Sequence, residues 1–388
     1  MGPHIALVLR HPGRGEGARA TATVSVMAPD RTPLVPSSAA SGRRAVLAAL
    51  CCVALAGAAG CTATTNTPPP SSDRSATGIG AQLEQDFVTV VNKTLPTIVE
   101  ITSDSGLGSG VIFDDAGNIV TNAHVVGGAT SFQVRLSSGT ATYPATLVYS
   151  WPPDDVAVIK VTGAPPMRPA RFGRSSELQV GDIVMAMGNP LGLSSTVTEG
   201  VVSALGRSVP EPPGQGSQGT VLRDTIQTSA PINPGNSGGA LVNLTGEVVG
   251  IPTLAAVNAQ AGGTAPGIGF ALPSDLVTDL ARQIVTNGRV VDSRRAALGI
   301  SAITVTDADG NPIGAGVSAV VPGGPAANAG IRQGDVITMI DDAEVRDAQQ
   351  LQAVLAEHRP GDSIRVTIVR PPDQPQTLTV ILGELPAT

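Results

Sequence analysis

Short apolar runs separated by turn-forming residues dominate the middle of the chain. Between Thr97 and Phe270, segments rich in Gly, Pro or Asn separate apolar runs such as IVEIT, SGVIF, VAVIKV and EVVGI. Strands of this length at close spacing are typical of an all-β barrel or sandwich. The pattern therefore predicts a mainly β fold for this region.

Helical spacing flanks the β region on both sides. The segment AQLEQDFVTVVNKTL, which begins at Ala81, repeats apolar residues on one face until Pro96 ends it. After the strands, residues 274–287 (SDLVTDLARQIVTN) predict a second helix, with Asp275 near its positive end. We therefore predict one folded domain over residues 81–289.

After a polar connector, the last part of the chain mixes strands with a helix. Residues 296–386 contain the strand-like runs GVSAVV, DVITMI, SIRVTIV and TLTVILG around one amphipathic helix, DAQQLQAVLAEH. This segment is predicted to form a second, smaller domain.

The residues before the folded region have the character of an export signal and a linker. Arg43 and Arg44 precede an uncharged, Ala-rich stretch at 45–59, which is shorter than the roughly 20 apolar residues of a membrane span. It is typical of a secretory signal. Cys61 follows small residues as in a bacterial lipoprotein box, so the hypotheses are lipidation at Cys61, plain secretion, or anchoring through 45–59. We divide this part into an uncertain leader (1–40, with Met27 as an alternative start to Met1), a signal segment (41–61) and a Pro/Ser/Thr linker (62–80).

Composition excludes several classes of function. The net charge is −7 and charged residues make up 14% of the chain, so no basic face for nucleic acid is predicted. All three cysteines lie between 51 and 61, which leaves no internal disulfide for the folded domains. With so few histidines and no other cysteine, we expect neither a metal site nor another cofactor.

The strongest chemical motif is GNSGG at 235–239. A nucleophilic serine needs a tight turn that projects its hydroxyl, and the glycines around Ser237 permit such a backbone path. The backbone N–H groups of Gly235 and Ser237 would then form an oxyanion hole. The alternative is an ordinary Gly/Ser/Asn hairpin turn.

A serine nucleophile requires a general base, and the chain offers few histidines. Of the four, His4 and His11 precede the signal, which leaves His124 and His358. His358 closes the helix of the C-terminal segment, where a histidine is ordinary capping. His124 follows a strand pattern in TNAHVV and is the predicted base.

The third member of a triad is a carboxylate that orients the imidazole. Asp154 and Asp155 both precede the apolar strand VAVIKV, and Asp182 is a further candidate in VGDIVMAMGNP. The residues alone leave this choice open. The order His–Asp–Ser is that of chymotrypsin and differs from subtilisin and the α/β-hydrolases.

Six motifs in order resemble the HtrA/Deg family of serine proteases: TNAHVV, DDVAVIKV, GDIVMAMGNPLG, TVTEGVVSALGR, IQTSAPINPGNSGGALVN and GIGFALPSD. The C-terminal segment resembles the PDZ domain of that family through ALGI and AGIRQGDVIT. The resemblance implies that Asp155 is the triad acid and that a trypsin-like double β-barrel precedes a PDZ domain, a small β-barrel with helices. It also implies a homotrimer and cleavage of unfolded proteins after small aliphatic residues.

Two binding surfaces are predicted from the same segments. Trypsins that cut after Lys or Arg share an Asp six residues before the nucleophile. This chain has Pro231 at that position. An apolar substrate pocket is predicted instead. Its residues are Ile232, Gly269, Phe270 and Ala271, and those of the groove for peptide C-termini are Leu298, Gly299, Ile300, Leu351 and Leu355. The alternative for the two distal leucines is a place in the core.

These observations predict an exported serine endopeptidase of the cell envelope or periplasm, or of the outer face of the plasma membrane, that cleaves misfolded proteins. One alternative is a dedicated regulatory protease acting on a single membrane partner. Another is a PDZ-based chaperone or adaptor, which an intact His–Asp–Ser set disfavours.

Overall fold

The computed structural model describes most of the chain from residue 78 onward. The described residues are 78–104, 106–137, 139–189, 196–211, 220–233, 235–258, 263–370 and 374–386. The predicted leader, signal segment, Cys61 and nearly all of the linker lie outside these residues.

Helix α1 (Ile79–Thr94) opens the folded part and begins before the predicted Ala81. Pro96 lies in the 3-10 turn Leu95–Thr97 that follows, because proline cannot continue the hydrogen bonding of an α-helix. Val90 is buried on the inner face of α1. The helix therefore packs its apolar stripe onto the barrels described next.

The first six strands close into an antiparallel barrel in the order β1-β2-β3-β6-β5-β4. Its interior is filled by branched apolar side chains with Phe132, as the low aromatic content requires. A short helix, α2 (Ala123–Val126), follows β3. The strands are β1 Ile98–Ser103, β2 Gly106–Ile112, β3 Asn118–Thr121, β4 Ser131–Leu136, β5 Thr142–Trp151 and β6 Val156–Val161.

The next six strands close into a second barrel in the order β10-β11-β12-β9-β8-β7. Antiparallel closure pairs every strand on both sides and leaves no exposed edge. The strands are β7 Ile183–Gly188, β8 Thr196–Glu211, β9 Thr220–Thr228, β10 Ala240–Asn243, β11 Val248–Asn258 and β12 Gly263–Pro273.

Helix α3 (Ser274–Asn287) joins the barrels into one core. Its buried residues Val277, Leu280 and Ile284 belong to a cluster that also contains side chains of both barrels. The helix ends at Gly288, which has a φ of 72° and thus takes the left-handed cap conformation that glycine favours.

The C-terminal segment has a sheet and a hydrophobic cluster of its own. Asp347 caps helix α5 by accepting a hydrogen bond from the Gln350 backbone at 2.7 Å. Its elements are β13 Ala296–Ala297, β14 Ile300–Thr306, β15 Pro312–Val320, α4 Pro325–Ala329, β16 Val336–Ile340, β17 Ala343–Glu344, α5 Ala348–Ala356, β18 Ser363–Val369, β19 Gln376–Ile381 and β20 Gly383–Glu384. Two barrels followed by this sheet confirm the predicted fold class.

Among the residues that the structure describes, none of the helices combines the length and the apolar character that crossing a membrane requires.

Candidate active site

His124 lies at the end of β3, in the short helix α2. Its imidazole Nδ1 is 2.9 Å from Oδ2 and 3.1 Å from Oδ1 of Asp155. The backbone N–H of His124 donates to the same carboxylate at 2.9 Å. The neighbouring Asn122 donates its side-chain amide to the backbone carbonyl of Asp155 at 3.1 Å. The imidazole is therefore held through Nδ1, as a general base that works through Nε2 requires.

Asp155 takes an unusual backbone conformation that aims its side chain at the histidine. Its φ is 51°, in the left-handed region where non-glycine residues are uncommon, at the end of the 3-10 turn Pro152–Asp154. The carboxylate is almost fully buried and also accepts a short hydrogen bond from Thr253 Oγ1. Three protein donors, from α2 and from β11, thus fix this one carboxylate.

Asp154 faces a different environment from that of its neighbour. It accepts hydrogen bonds from Trp151 Nε1 at 2.9 Å and from Arg295 Nη1 at 2.7 Å, and Arg223 Nε lies 3.4 Å away. Burial lowers the pKa of Arg223, and the charge of Arg295 adds to this effect against the pull of Asp154. Asp154 therefore belongs to a buried ionic cluster outside the histidine's contacts.

The other candidates from the sequence lie away from His124. Asp182 is exposed and accepts a hydrogen bond from the Gln179 backbone at 2.8 Å. His358 lies at the end of α5, with Nδ1 3.8 Å from Asp362. Neither residue contacts the His124 side chain.

The turn that carries Ser237 is packed against the first barrel. The Ser237 carbonyl accepts the backbone N–H of Ser109 at 3.0 Å. Gly238 has a φ of 79°, and a Cβ there would lie 2.2 Å from the Ser109 carbonyl oxygen. Only glycine therefore fits at 238, since both the backbone conformation and the space exclude a side chain.

The Ser237 hydroxyl donates to the backbone carbonyl of Thr253 at 3.2 Å. Within the described residues, it makes no hydrogen bond to His124. Nucleophile–base hydrogen bonds are often long in ligand-free sites and tighten when substrate binds. Thr253 thus contacts both Asp155 and Ser237, a role that the sequence did not suggest. Its one signal is a hydroxyl residue inside the apolar run VVGIPTLAAV.

The predicted oxyanion residues Gly235 and Ser237 lie in the same turn. Gly235 has a φ of 105°, and its carbonyl accepts the Ser109 hydroxyl at 2.5 Å. Ser109 Oγ in turn accepts the backbone N–H of Asn189 at 2.8 Å. Ser109, which the sequence also did not single out, therefore braces the turn. The oxyanion role of the two N–H groups stays a prediction.

The electrostatics of the site favour a charged histidine. Burial opposes the charge on His124, but the charge of Asp155, its hydrogen bond and the charge of Glu211 together raise the histidine pKa above 6.5. Glu211 Oε1 lies 3.7 Å from His124 Nδ1. Among the described residues, His124, Asp155 and Glu211 are the one group whose ligand atoms are close enough to hold a metal ion.

The four residues of the predicted substrate pocket lie together in the second barrel. A Cβ on Gly269 would lie 2.4 Å from Cγ1 of Ile232, so their contact depends on glycine. Phe270 and Ala271 follow in β12 and pair with β9. Ile232 and Ala271 belong to the core of this barrel. Their role as a pocket wall stays a prediction.

All five residues of the predicted peptide groove line one cavity of about 520 Å³. Leu351 is also part of the C-terminal core, whereas Leu355 is only partly buried against it. The opposite wall comes from the peptidase region and includes Pro152, Pro153 and Thr220. The groove therefore opens beside the 3-10 turn Pro152–Asp154, which leads to Asp155.

Two family descriptions match the chain in the order of these folds. The trypsin-like peptidase domain matches residues 108–251, which contain His124, Asp155 and Ser237. The PDZ domain matches residues 296–382.

The chain is also similar to named proteases over most of its length. It is 41% identical over 290 residues to the serine endoprotease DegS of Escherichia coli, with 73% of this chain and 78% of DegS covered. The chain belongs to the HtrA family of serine proteases. It is 40% identical to the serine protease PepD of Mycobacterium tuberculosis, covering 76% of this chain and 65% of PepD.

Solved HtrA structures agree with this assignment. The HtrA-type protease AlgW with a decapeptide has 33% sequence identity and a TM-score of 0.51, with 77% of this chain and 99% of that chain covered. The HtrA-type protease AlgW with a tripeptide gives 35% identity and the same TM-score of 0.51, with 77% of this chain and 97% of that chain covered. The predicted HtrA resemblance is thereby confirmed.

Proposed function

We propose that this chain is an endopeptidase that cleaves peptide bonds through an acyl-enzyme on Ser237. The contact of His124 with a carboxylate held by three donors carries the proposal. Because Asp155 occupies the Nδ1 side of the imidazole, Nε2 is left to accept a proton. Membership of a serine protease family supports the same chemistry.

The proposed reaction begins when the Ser237 hydroxyl leaves the Thr253 carbonyl and turns to His124 Nε2. The oxygen attacks the scissile carbonyl as the imidazole takes its proton, and the N–H groups of Gly235 and Ser237 stabilise the oxyanion. The imidazolium then protonates the leaving amine, which releases the first product. Water, deprotonated by His124, hydrolyses the ester and restores the serine.

Replacing the nucleophile tests this proposal. Ser237→Ala should lower casein turnover by roughly 10⁶ and abolish labelling by a fluorophosphonate. The matched control is Ser208→Ala, since Ser208 is exposed in β8. Circular dichroism should show both variants folded. Activity of Ser237→Ala within tenfold of the control would overturn the assignment.

We propose that the substrates are unfolded or misfolded proteins, cut after small aliphatic residues. The apolar character of Ile232, Phe270 and Ala271 supports this, as does Pro231 in place of an acid. An apolar pocket discriminates by only about 1–3 kcal/mol per methylene, so cleavage should be broad. Peptide libraries would measure the preference, and a dominant cut after Lys or Arg would contradict it.

The groove at the PDZ domain is proposed to hold the C-terminus of a peptide as an added strand. Five predicted groove residues around one cavity support this, and AlgW was solved with peptides. Leu355→Glu should weaken binding of a free-carboxylate peptide about tenfold or more, because it places a negative charge in the groove. Gln349→Glu, on the exposed side of the same helix, is the control. Equal binding of the matching carboxamide peptide would exclude carboxylate capture.

Export to the cell envelope is part of the proposal, with a homotrimer as the working assembly. The signal-like segment supports export, and the related DegP is named a periplasmic endoprotease. Mass spectrometry of the mature N-terminus distinguishes a lipidated Cys61 from a cleaved signal and from an uncleaved anchor. An unmodified N-terminus beyond Cys61 would remove the lipoprotein hypothesis.

A further inference from the structure

Glu211 is a buried acid of the second barrel that reaches the histidine of the first. It is the last residue of β8, where its backbone lies opposite Thr220 of β9. Its side chain is 5% exposed, and Oε1 lies 3.7 Å from His124 Nδ1. Nothing in the local sequence SVPEPPG marks an acid that will lie beside a residue so distant in the chain.

The distance assigns Glu211 an electrostatic role. Nδ1 carries one proton, and both oxygens of Asp155 are closer to it, at 2.9 and 3.1 Å. Glu211 thus acts on the imidazole through its charge. An opposite charge within about 4–6 Å favours the protonated imidazole, most strongly where water is excluded.

Few other charges face His124. Of the strands packed against α2, β2 has no ionisable side chain and β5 contributes only Tyr143 and Tyr149. Lys160 on β6 binds the Ala116 carbonyl. Asp155 and Glu211 are therefore the charges, within the described ranges, that set the protonation of the imidazole.

We infer that Glu211 is a positioning residue of this active site, a second buried carboxylate that stabilises the imidazolium of His124 alongside Asp155. This inference rests on the proposed role of His124 as the general base. During the reaction, Glu211 would stabilise the imidazolium that forms when His124 takes the proton of Ser237. At low pH the same charge would lower the rate, because it keeps the resting imidazole protonated and unable to accept that proton.

A neutral replacement should therefore change the pH profile in two opposite directions. In Glu211→Gln, the acid limb of kcat/KM should move to lower pH, and the plateau at higher pH should fall. A shift of about half a pH unit would change the neutral fraction on the acid limb about threefold. Simple loss of structure would lower the rate at every pH and would not produce crossing curves.

The experiment compares Glu211→Gln, Glu211→Asp and Glu100→Gln with the unaltered enzyme. Glu100 is also buried, but it faces Arg135 at 3.8 Å in the first barrel, which makes it the matched control. Peptide cleavage is followed between about pH 5 and 8. We expect the acid limb of Glu211→Asp to lie close to its original pH, and the acid limb of Glu100→Gln not to move.

A titration of His124 by NMR, in the Ser237→Ala background, separates this inference from the proposed function. It reports the histidine pKa even if His124 is not the base. An unchanged pKa in Glu211→Gln would overturn the inference while leaving the triad proposal standing. If the Gln variant does not fold, Glu211→Leu, which is also neutral, provides a second comparison for the same titration.

Discussion

At the scale of single residues, the site depends on the directions of two adjacent acids. Asp155 turns to His124, whereas Asp154 turns to Arg295 and Trp151. The left-handed backbone at Asp155 separates these directions. Both side chains are buried, so each has the partners that a buried charge requires.

Replacing each acid by its amide should therefore damage different properties. Asp155→Asn should lower turnover by about 10⁴, because the imidazole loses its tautomer and orientation. Asp154→Asn should keep a far larger share of the turnover but unfold at lower denaturant concentration. Breaking a buried ion pair costs about 3–5 kcal/mol, here because Arg295 and Arg223 lose their counter-charge.

Kinetics and urea unfolding of the two variants measure the difference. If Asp154→Asn lost activity while Asp155→Asn lost only stability, the assignment of the acid would be reversed.

At the scale of elements, the turn at 235–239 joins the two barrels. Ser109 of β2 bonds to Ser237 through its backbone N–H and to Gly235 through its hydroxyl. Thr253 of β11 approaches from the other side. Ser237 is thus held by contacts with both barrels.

Gly238→Ala should disrupt this element. The added Cβ would lie 2.2 Å from the Ser109 carbonyl and 2.4 Å from Thr121 Oγ1. Overpacking costs about 1–3 kcal/mol, and the backbone strain adds to it. We expect lower thermal stability and little fluorophosphonate labelling.

Gly310→Ala is a control for the backbone effect, since Gly310 also has a positive φ, of 86°, but open space around it. If Gly238→Ala lost no more stability than Gly310→Ala, the close approach would have no energetic role.

At the scale of the whole molecule, Arg295 links the PDZ domain to the peptidase. It precedes β13, yet its guanidinium is buried against Asp154 and donates to the carbonyls of Pro153 and Val221. Arg223 of the peptidase region adds a second contact by donating a hydrogen bond to the Ser293 carbonyl at 2.7 Å. These contacts attach the residues just before β13 to the 3-10 turn Pro152–Asp154, which leads to Asp155.

Arg295→Met should loosen this attachment. Removing the guanidinium leaves Asp154 without its closest charge partner, so calorimetry should resolve separate unfolding of the PDZ domain at a lower temperature. The matched control is Arg294→Met, because the Arg294 side chain is 67% exposed. A single unchanged transition in Arg295→Met would show that the link does not couple the two folds.

The strands, the flanking helices and the glycine turn could be predicted from the amino-acid sequence, because they depend on local periodicity and on backbone freedom. It also pointed to His124, since few histidines remain in the folded region. The choice between Asp154 and Asp155 needed the family resemblance, because two adjacent residues of one type share the same local pattern.

Which distant groups share the site could be seen only in the folded chain. Thr253 lies 98 residues from Asp155 along the chain, yet it donates to the same carboxylate as His124. Glu211 reaches His124 from the other barrel. Such contacts arise from the closure and packing of two barrels, and no local pattern of residues encodes that packing.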